Sequence, residues 1–378
     1  MKRRFVFAVF AAFLLTALSG LTASAQSSYT FTDLGVVNPS VQYSTGLGIN
    51  NAGQILGQTK TNASTTRVFK ITPVIDANGR QSWFKDSNND GINDLMALPS
   101  LPAGFTFNYA SAGAINASGQ AACVALAARG TVPQDAIVWS ANGIPTILTS
   151  TSVTSSGSGI NDGGDVVGNY YDYKHNKPSY PYLWQYTNGI YTATQLSTSS
   201  GSAYTVNNLR QVLGENGSAF LWLPSATYGL SQGIHTLNGI SVGSGKNLNN
   251  SGIISGTFTS NSHLCLWAPP GGGAAYGLND GNNDLGSGSF VSIYPHGLNN
   301  PTAGQALQVV GFAKDASNNS FAFIWDSANK TALNLNTVTV NLPTGWTLQA
   351  ANGINDLGQI VGSGTYNGVT RAFVLTPQ

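Results

Sequence analysis

The 378-residue chain is short of charge and of sulfur. Asp, Glu, Lys and Arg make up 8% of it, against about 25% in ordinary soluble domains. No basic stripe is present, which removes the electrostatic footprint of a nucleic-acid binder. The two cysteines, Cys123 and Cys265, stand in no CxxC or other metal-ligand spacing. The four histidines, His175, His235, His263 and His296, are scattered without an HExxH pair, so a zinc site has no support. Glu215 is the sole glutamate, which leaves little material for paired-carboxylate chemistry. Walker and dinucleotide motifs are missing. No stretch carries a 3.6-residue apolar period, so helix is expected to be scarce.

What the chain does have is apolar residues, at 42%, and 45 glycines, a composition that fits a packed core joined by many turns. Its start, "MKRRFVFAVFAAFLLTALSGLTASAQ", runs from Lys2, Arg3 and Arg4 through an apolar stretch to small residues. That order predicts a secretory signal peptide over 1–25, cleaved after Ala25. Its apolar run is short beside the ~20 residues of a membrane span. Losing the three cations takes the formal charge from +1 to −2. The remaining 26–378 then read as one secreted, periplasmic or extracellular domain with no membrane segment.

A phrase recurs seven times in that domain. "GLGINNAGQILG" around Asn50 returns, with decay, around Asn116, Asn161, Asn207, Asn249, Asn299 and Asn355, at spacings of 66, 45, 46, 42, 50 and 56 residues. Such periods signify an array of supersecondary units. After each phrase comes an apolar triplet such as "FLW" ending at Trp222, then a short segment centred on leucine (Leu95, Leu148, Leu196, Leu237, Leu285, Leu335). The phrase reads as a hairpin whose turn glycine supplies positive φ, the triplet as a third strand and the leucine segment as a fourth. Triplets apolar at consecutive positions need a sheet covered on both faces. The seventh unit lacks a fourth strand, and "TDLG" at 32–35 matches the leucine segments. The expected fold is therefore all-β: a seven-bladed β-propeller of four-stranded antiparallel blades, the N-terminal strand completing the last blade. An open solenoid and an irregular β array are the alternatives.

These units resemble the HAF-type extracellular repeat proteins of bacteria, whose units read roughly GINxxGQ(I/V)VG followed by AFLW. The resemblance covers nearly all of 26–378. It implies export and repeat architecture and supplies no catalytic residues. Unit four departs from it at Arg210, unit two at Cys123, and unit six carries an insertion in its turn.

Three further stretches are candidate sites. "DSNNDGIND" places Asp86, Asn88, Asp90 and Asp94 at the spacing of an EF-hand-like loop, a candidate calcium site; Ala97 stands where the bidentate glutamate belongs. The related "DGNNDL" at 280–285 lacks the first two ligands, so DGxNDL also reads as a plain turn into the fourth strand. Tyr170, Tyr171, Asp172, Tyr173, His175 and Tyr180 lie in a tyrosine-rich link and are candidates for stacking on a glycan or anchoring a protein. "GISVG" at 239–243 matches a nucleophile elbow in letters only, because that motif needs a strand–turn–helix setting. The aligned tryptophans Trp139, Trp184, Trp222, Trp267 and Trp325 read as core. The cysteines, three units apart, read as free buried thiols. The function expected is an exported, non-catalytic binding or scaffold module for a glycan, surface polymer or protein. The competing reading is a secreted glycoside hydrolase or lyase with its site in the propeller funnel, which Asp172, Glu215, Asp315 or Asp326 would have to supply.

Overall fold

A computed structural model describes residues 28–109, 114–127, 134–149, 154–171, 178–243 and 245–378. Seven small sheets stand in a ring, and in six of them the strands lie in chain order. Blade 1 contains Ser44–Ile49, Ile55–Lys60, Thr66–Ile71 and Met96–Ala97. Blade 4 contains Ser202–Val206, Val212–Glu215, Ala219–Leu223 and Gly233–Thr236. Blade 6 contains Ser292–Leu298, Gln308–Lys314, Ser320–Asp326 and Ala332–Asn334. In blades 1, 3, 4, 6 and 7 the first strand ends directly before the recurrent asparagine.

The ring closes as the sequence implies. Tyr29–Asp33 pairs antiparallel with Val369–Pro377, Tyr29 opposite Pro377 and Asp33 opposite Phe373. The Leu34 amide then donates to the Ala372 carbonyl at 3.0 Å, and Leu34 is fully buried. The closing sheet has a fifth member that no sequence pattern announced: Thr339–Val340 runs parallel to Tyr29 and Thr30. The short hairpin of Val74–Ile75 with Gln81–Ser82 was equally unannounced. Helix is confined, among the described residues, to Leu335–Val338 and one 3-10 turn. The recurrent leucine does not sit at the centre of the fourth strand. In blades 2 to 5 it follows that strand, and its amide closes the ladder onto the third, as Leu237 does onto Ala219.

Consecutive apolar residues bury because each blade is covered on both sides. In Ala219–Leu223, Leu221 and Leu223 pack with Ile240, Leu248 and Ile254 of blade 5, while Trp222 packs with Leu183 and Ala203 on the blade 3 side. Trp139, Trp184 and Trp325 are fully buried; Trp222 and Trp267 are only half-buried, which corrects a uniform core reading of the five.

The glycine that ends the phrase has a steric cause. A Cβ on Gly168 would lie 1.7 Å from the Ser156 carbonyl oxygen, and on Gly362 2.1 Å from that of Ala350. Phenylalanine on the third strand covers this bare backbone, as in the pairs Gly57–Phe69, Gly214–Phe220, Gly311–Phe323 and Gly362–Phe373. Blade 3 has tyrosine in the same role, Gly168–Tyr182, and the two cysteines depart from the pair. Cys123 replaces the glycine and faces Ile137, and Cys265 replaces the phenylalanine and faces Gly256. At Cys123–Ile137 the large–small pair has become two medium residues, with little change in filled volume; at Cys265–Gly256 the glycine stays and a smaller side chain takes the phenylalanine's place. Both thiols are buried and unpaired, and burial raises their pKa values, that of Cys265 to about 12. They behave as small apolar side chains.

Candidate functional site

The recurrent asparagine joins each blade to the next. Its Oδ1 accepts the backbone N–H four residues on, as Asn161 does from Asp165 at 2.9 Å, which closes the hairpin turn. Its Nδ2 donates to the backbone carbonyl of the next blade's asparagine. Asn50 reaches Asn116, Asn116 reaches Asn161, Asn161 reaches Asn207, Asn207 reaches Asn249, and Asn355 closes onto Asn50, all at 2.9–3.1 Å. Asn249 reaches Asn299 at 3.3 Å. The belt breaks once: with the inserted turn of blade 6, Asn299 donates to Ala306 instead. All seven side chains are buried, and a buried amide must find partners for both its donors and its acceptor.

One residue further on, a second belt rings the channel mouth. Backbone N–H groups of Asp162, Asn208, Asn250, Asn300 and Asp356 donate to the side-chain oxygens of Asn208, Asn250, Asn300, Asp356 and Asn51, at 2.6–3.0 Å. Where this position accepts, asparagine and aspartate both serve; blade 2 has Ala117, which gives its N–H to Asp162 and has no side-chain acceptor to offer Asn51. The two carboxylates here, Asp162 and Asp356, are each held at both oxygens: Asp162 by the Ala117 N–H and the Asn208 amide, Asp356 by the Asn300 N–H and the Asn51 amide. The cavity between these belts holds about 70 Å³, room for a few waters. Lys246 is the one cation among its described lining residues.

Two departures of the repeat from its own pattern are paired. Arg210 takes the turn glycine's place with φ +60°, and its Nε donates to Asp165 at 2.7 Å. Asp165 is blade 3's substitute for the phrase's glutamine and also accepts from the Asn161 amide. Two changes 45 residues apart thus make one cross-blade ion pair.

The inner strands bulge three residues before the asparagine, at Leu47, Ser158, Tyr204, His296 and Asn352. The His296 ring nitrogen Nδ1 is 3.1 Å from Asn352 Oδ1, and burial lowers its pKa, so the ring is neutral at neutral pH. Tyr204 donates to Glu215, which raises the phenol, already raised by burial, to about 12.

The structure brings together few of the residues singled out in the sequence. In the 86–94 loop, the Asp86 carboxylate accepts the Asp90 and Gly91 amides, and Asp90 accepts the Ile92 amide and an Asn88 Nδ2 hydrogen. Asp94 accepts the Ser87 amide, and its bonds from Ser87 hold its pKa below the usual range. No group of three His, Cys, Asp or Glu side chains close enough to share a metal ion occurs among the described residues. The shared letter of the two DGxND stretches is explained by Asn93 and Asn283, buried amides that tie the turn down; Asn93 donates to the Leu34 and Trp83 carbonyls. Tyr170 stacks on Tyr182 with centroids 4.9 Å apart and pairs across the sheet with Tyr180; Tyr171 ends the same strand. Asp172, Tyr173 and His175 lie outside the described residues. Glu215 is bound by Ser241 and the Val242 amide at the blade 4–5 seam, while Asp315 and Asp326 cap their own turns. None of these three lines the channel. Ser241 sits in a two-residue strand, with no helix following it. The mouth belt and Lys246 were missed in the sequence; the signal was there, as residues at fixed offsets from each recurrent asparagine.

No family model matches the chain, and no curated protein matches it. Several solved structures are similar in fold. A puromycin hydrolase aligns with a TM-score of 0.49 at 10% identity, over 89% of this chain and 50% of the hydrolase. A puromycin-hydrolyzing peptidase from Mycobacterium tuberculosis gives 0.44 at 12% identity, over 90% and 57%. The β-propeller domain of the Trilobed protease from Pyrococcus furiosus gives 0.34 at 9% identity, over 78% and 98%. The chain spans about half the length of the first two. The chain is a seven-bladed β-propeller.

Proposed function

We propose that this propeller is an exported, non-catalytic binding or scaffold module, acting at the cell envelope or outside the cell on a glycan, a surface polymer or a protein. The reading rests on how polar groups are spent. At the hairpin end of the channel, amides and carboxylates are committed to blade-to-blade bonds, leaving no free acid–base pair in the mouth among the described residues. At the opposite end, aromatic pairs such as Tyr170–Tyr182 and Tyr294–Phe312 stack while partly exposed. The pattern of residues 1–25 and the resemblance of the units to HAF-type repeats support export. Incubating the purified protein with insoluble cell-wall polysaccharides and with extracellular protein fractions tests this. The expected result is co-sedimentation without release of soluble sugars.

The enzyme reading keeps one observation in its favour: Asp162 and Asp356 both line the channel mouth, in blades 3 and 7. Release of reducing ends that disappears in the Asp162→Asn and Asp356→Asn variants would establish it and displace the module reading.

A further inference from the structure

Five blades can be compared at one cross-strand position, five residues before the recurrent asparagine and its partner on the second strand. The pairs are Thr45–Gln58, Ser156–Asn169, Ser202–Glu215 and Ala350–Ser363, all small or polar. In blade 6 the pair is Tyr294–Phe312. The two rings stack with centroids 4.7 Å apart and 15° between planes, and the His296 ring meets Phe312 edge-on at 5.2 Å. Tyr294 remains 36% exposed, so these rings are not simply core. A fold that repeats its solution elsewhere has here put a large aromatic pair at a surface seam.

That pair forms one wall of a cleft of about 340 Å³ between blades 5 and 6, on the end of the propeller opposite the asparagine belt. Ligand pockets run from roughly 300 to 1,000 Å³. Phe258 and the hydroxyls of Ser241, Thr257, Thr259 and Ser262 make the other wall, and no charged side chain among the described residues lines it. Three of the hydroxyls have already given away their hydrogens: Ser241 to Glu215, Thr257 to the Ile293 carbonyl and Thr259 to the Gly239 carbonyl. Their lone pairs stay available, so these three hydroxyls accept hydrogen bonds rather than donating them, and Ser262 alone on this wall keeps a hydroxyl hydrogen to give. An anion would meet mainly acceptors there, with the Glu215 carboxylate bound behind Ser241, and only the Ser262 hydroxyl and the Tyr294 phenol as side-chain O–H donors. A purely apolar ligand would strand those lone pairs without water, at a cost. A ring with an apolar C–H face and outward hydroxyl donors satisfies both walls.

We propose that the cleft between blades 5 and 6 is a subsite for one uncharged pyranose, the end residue of a glycan, lying with its C–H face on Tyr294 and its hydroxyls donating to the threonine wall. This rests on the binding-module reading and names its ligand class. Saturation-transfer NMR of the purified protein with the methyl pyranosides of glucose, galactose, mannose and N-acetylglucosamine tests it, with inorganic phosphate as competitor. At least one glycoside should bind, and phosphate should not displace it. Tyr294→Ala should weaken binding at least about ten-fold, equivalent to 1.4 kcal/mol. Tyr294→Phe should keep it, and Thr259→Val, at the exposed rim, should weaken it without disturbing the fold. No binding by any of the four, binding unchanged in both Tyr294→Ala and Thr259→Val, or displacement by phosphate would overturn the subsite. If the four fail while cell-wall polymer or protein still co-sediments, the subsite is wrong and the module reading stands.

Discussion

The two ends of the channel are built from the same seven hairpins yet follow different rules. At the hairpin end, one asparagine side chain does up to three jobs, as Asn161 shows: it closes its own turn by accepting at Oδ1, donates to the side chain four residues on, and donates to the next blade. At the other end, the matching positions hold Thr45, Ser156, Ser202, Tyr294 and Ala350, which no architectural bond constrains to one type. Recurrence marks the residues that hold the ring together, and the break in recurrence marks where a ligand can be read. The comparison makes graded predictions for unfolding.

The largest effect belongs to a recurrent glycine. Gly168→Ala forces a Cβ into the Ser156 carbonyl, and denaturant unfolding should show a loss of about 3–5 kcal/mol. A loss under about 1 kcal/mol would mean the inner-strand bulge is soft and the glycine is not sterically required. Next comes the belt itself. Asn161→Ala strands a buried backbone carbonyl on Asn207 and a turn amide, costing about 2–4 kcal/mol. Asn299→Ala should cost about 1 kcal/mol less, because Asn299 makes no bond to blade 7. Equal losses at the two sites would deny the belt its inter-blade role. The paired departure gives a third test. Asp165→Gln and Arg210→Gly should each destabilise alone, and together restore the phrase, with a coupling of at least about 1 kcal/mol in a double-mutant cycle. The smallest effect lies at the opposite end, where Tyr294→Ala should change stability by no more than about 1 kcal/mol. A loss as large as that of Asn161→Ala would erase the difference between the ends.

Much of the fold was legible because its signals are local or periodic. The hairpin phrase, the both-faces-buried triplet and Leu34 as the supplier of a missing strand each leave letters at fixed offsets. What stayed hidden depends on pairing over distance. Thr339–Val340 carries no pattern of its own and becomes a strand only because the N-terminal strand passes beside it. Arg210 reads as a damaged turn until Asp165 is found opposite. Recurrence in the sequence announced the asparagines as turn residues, but their inter-blade bond cannot be seen in one unit. The aromatic pair was invisible for a different reason: Tyr294 and Phe312 are each ordinary in a β protein, and only their register makes them neighbours. The acidic loop at 86–94 shows the converse, a ligand-like spacing whose oxygens are used to bind the loop's own amides.

All of this presumes a ring shut by its N-terminal strand, and a cross-link tests that most directly. Thr30 and Thr376 are directly opposite in the antiparallel pair, where Cα atoms lie about 4.5–5.5 Å apart and within disulfide reach. Both native cysteines are buried and leave the new pair to react alone. In the Thr30→Cys/Thr376→Cys variant, the closed ring predicts spontaneous formation of the bond under air, with a shifted non-reducing mobility and a raised unfolding midpoint. Two thiols that stay free and label fully in the folded protein would place the chain ends apart and contradict the closed propeller.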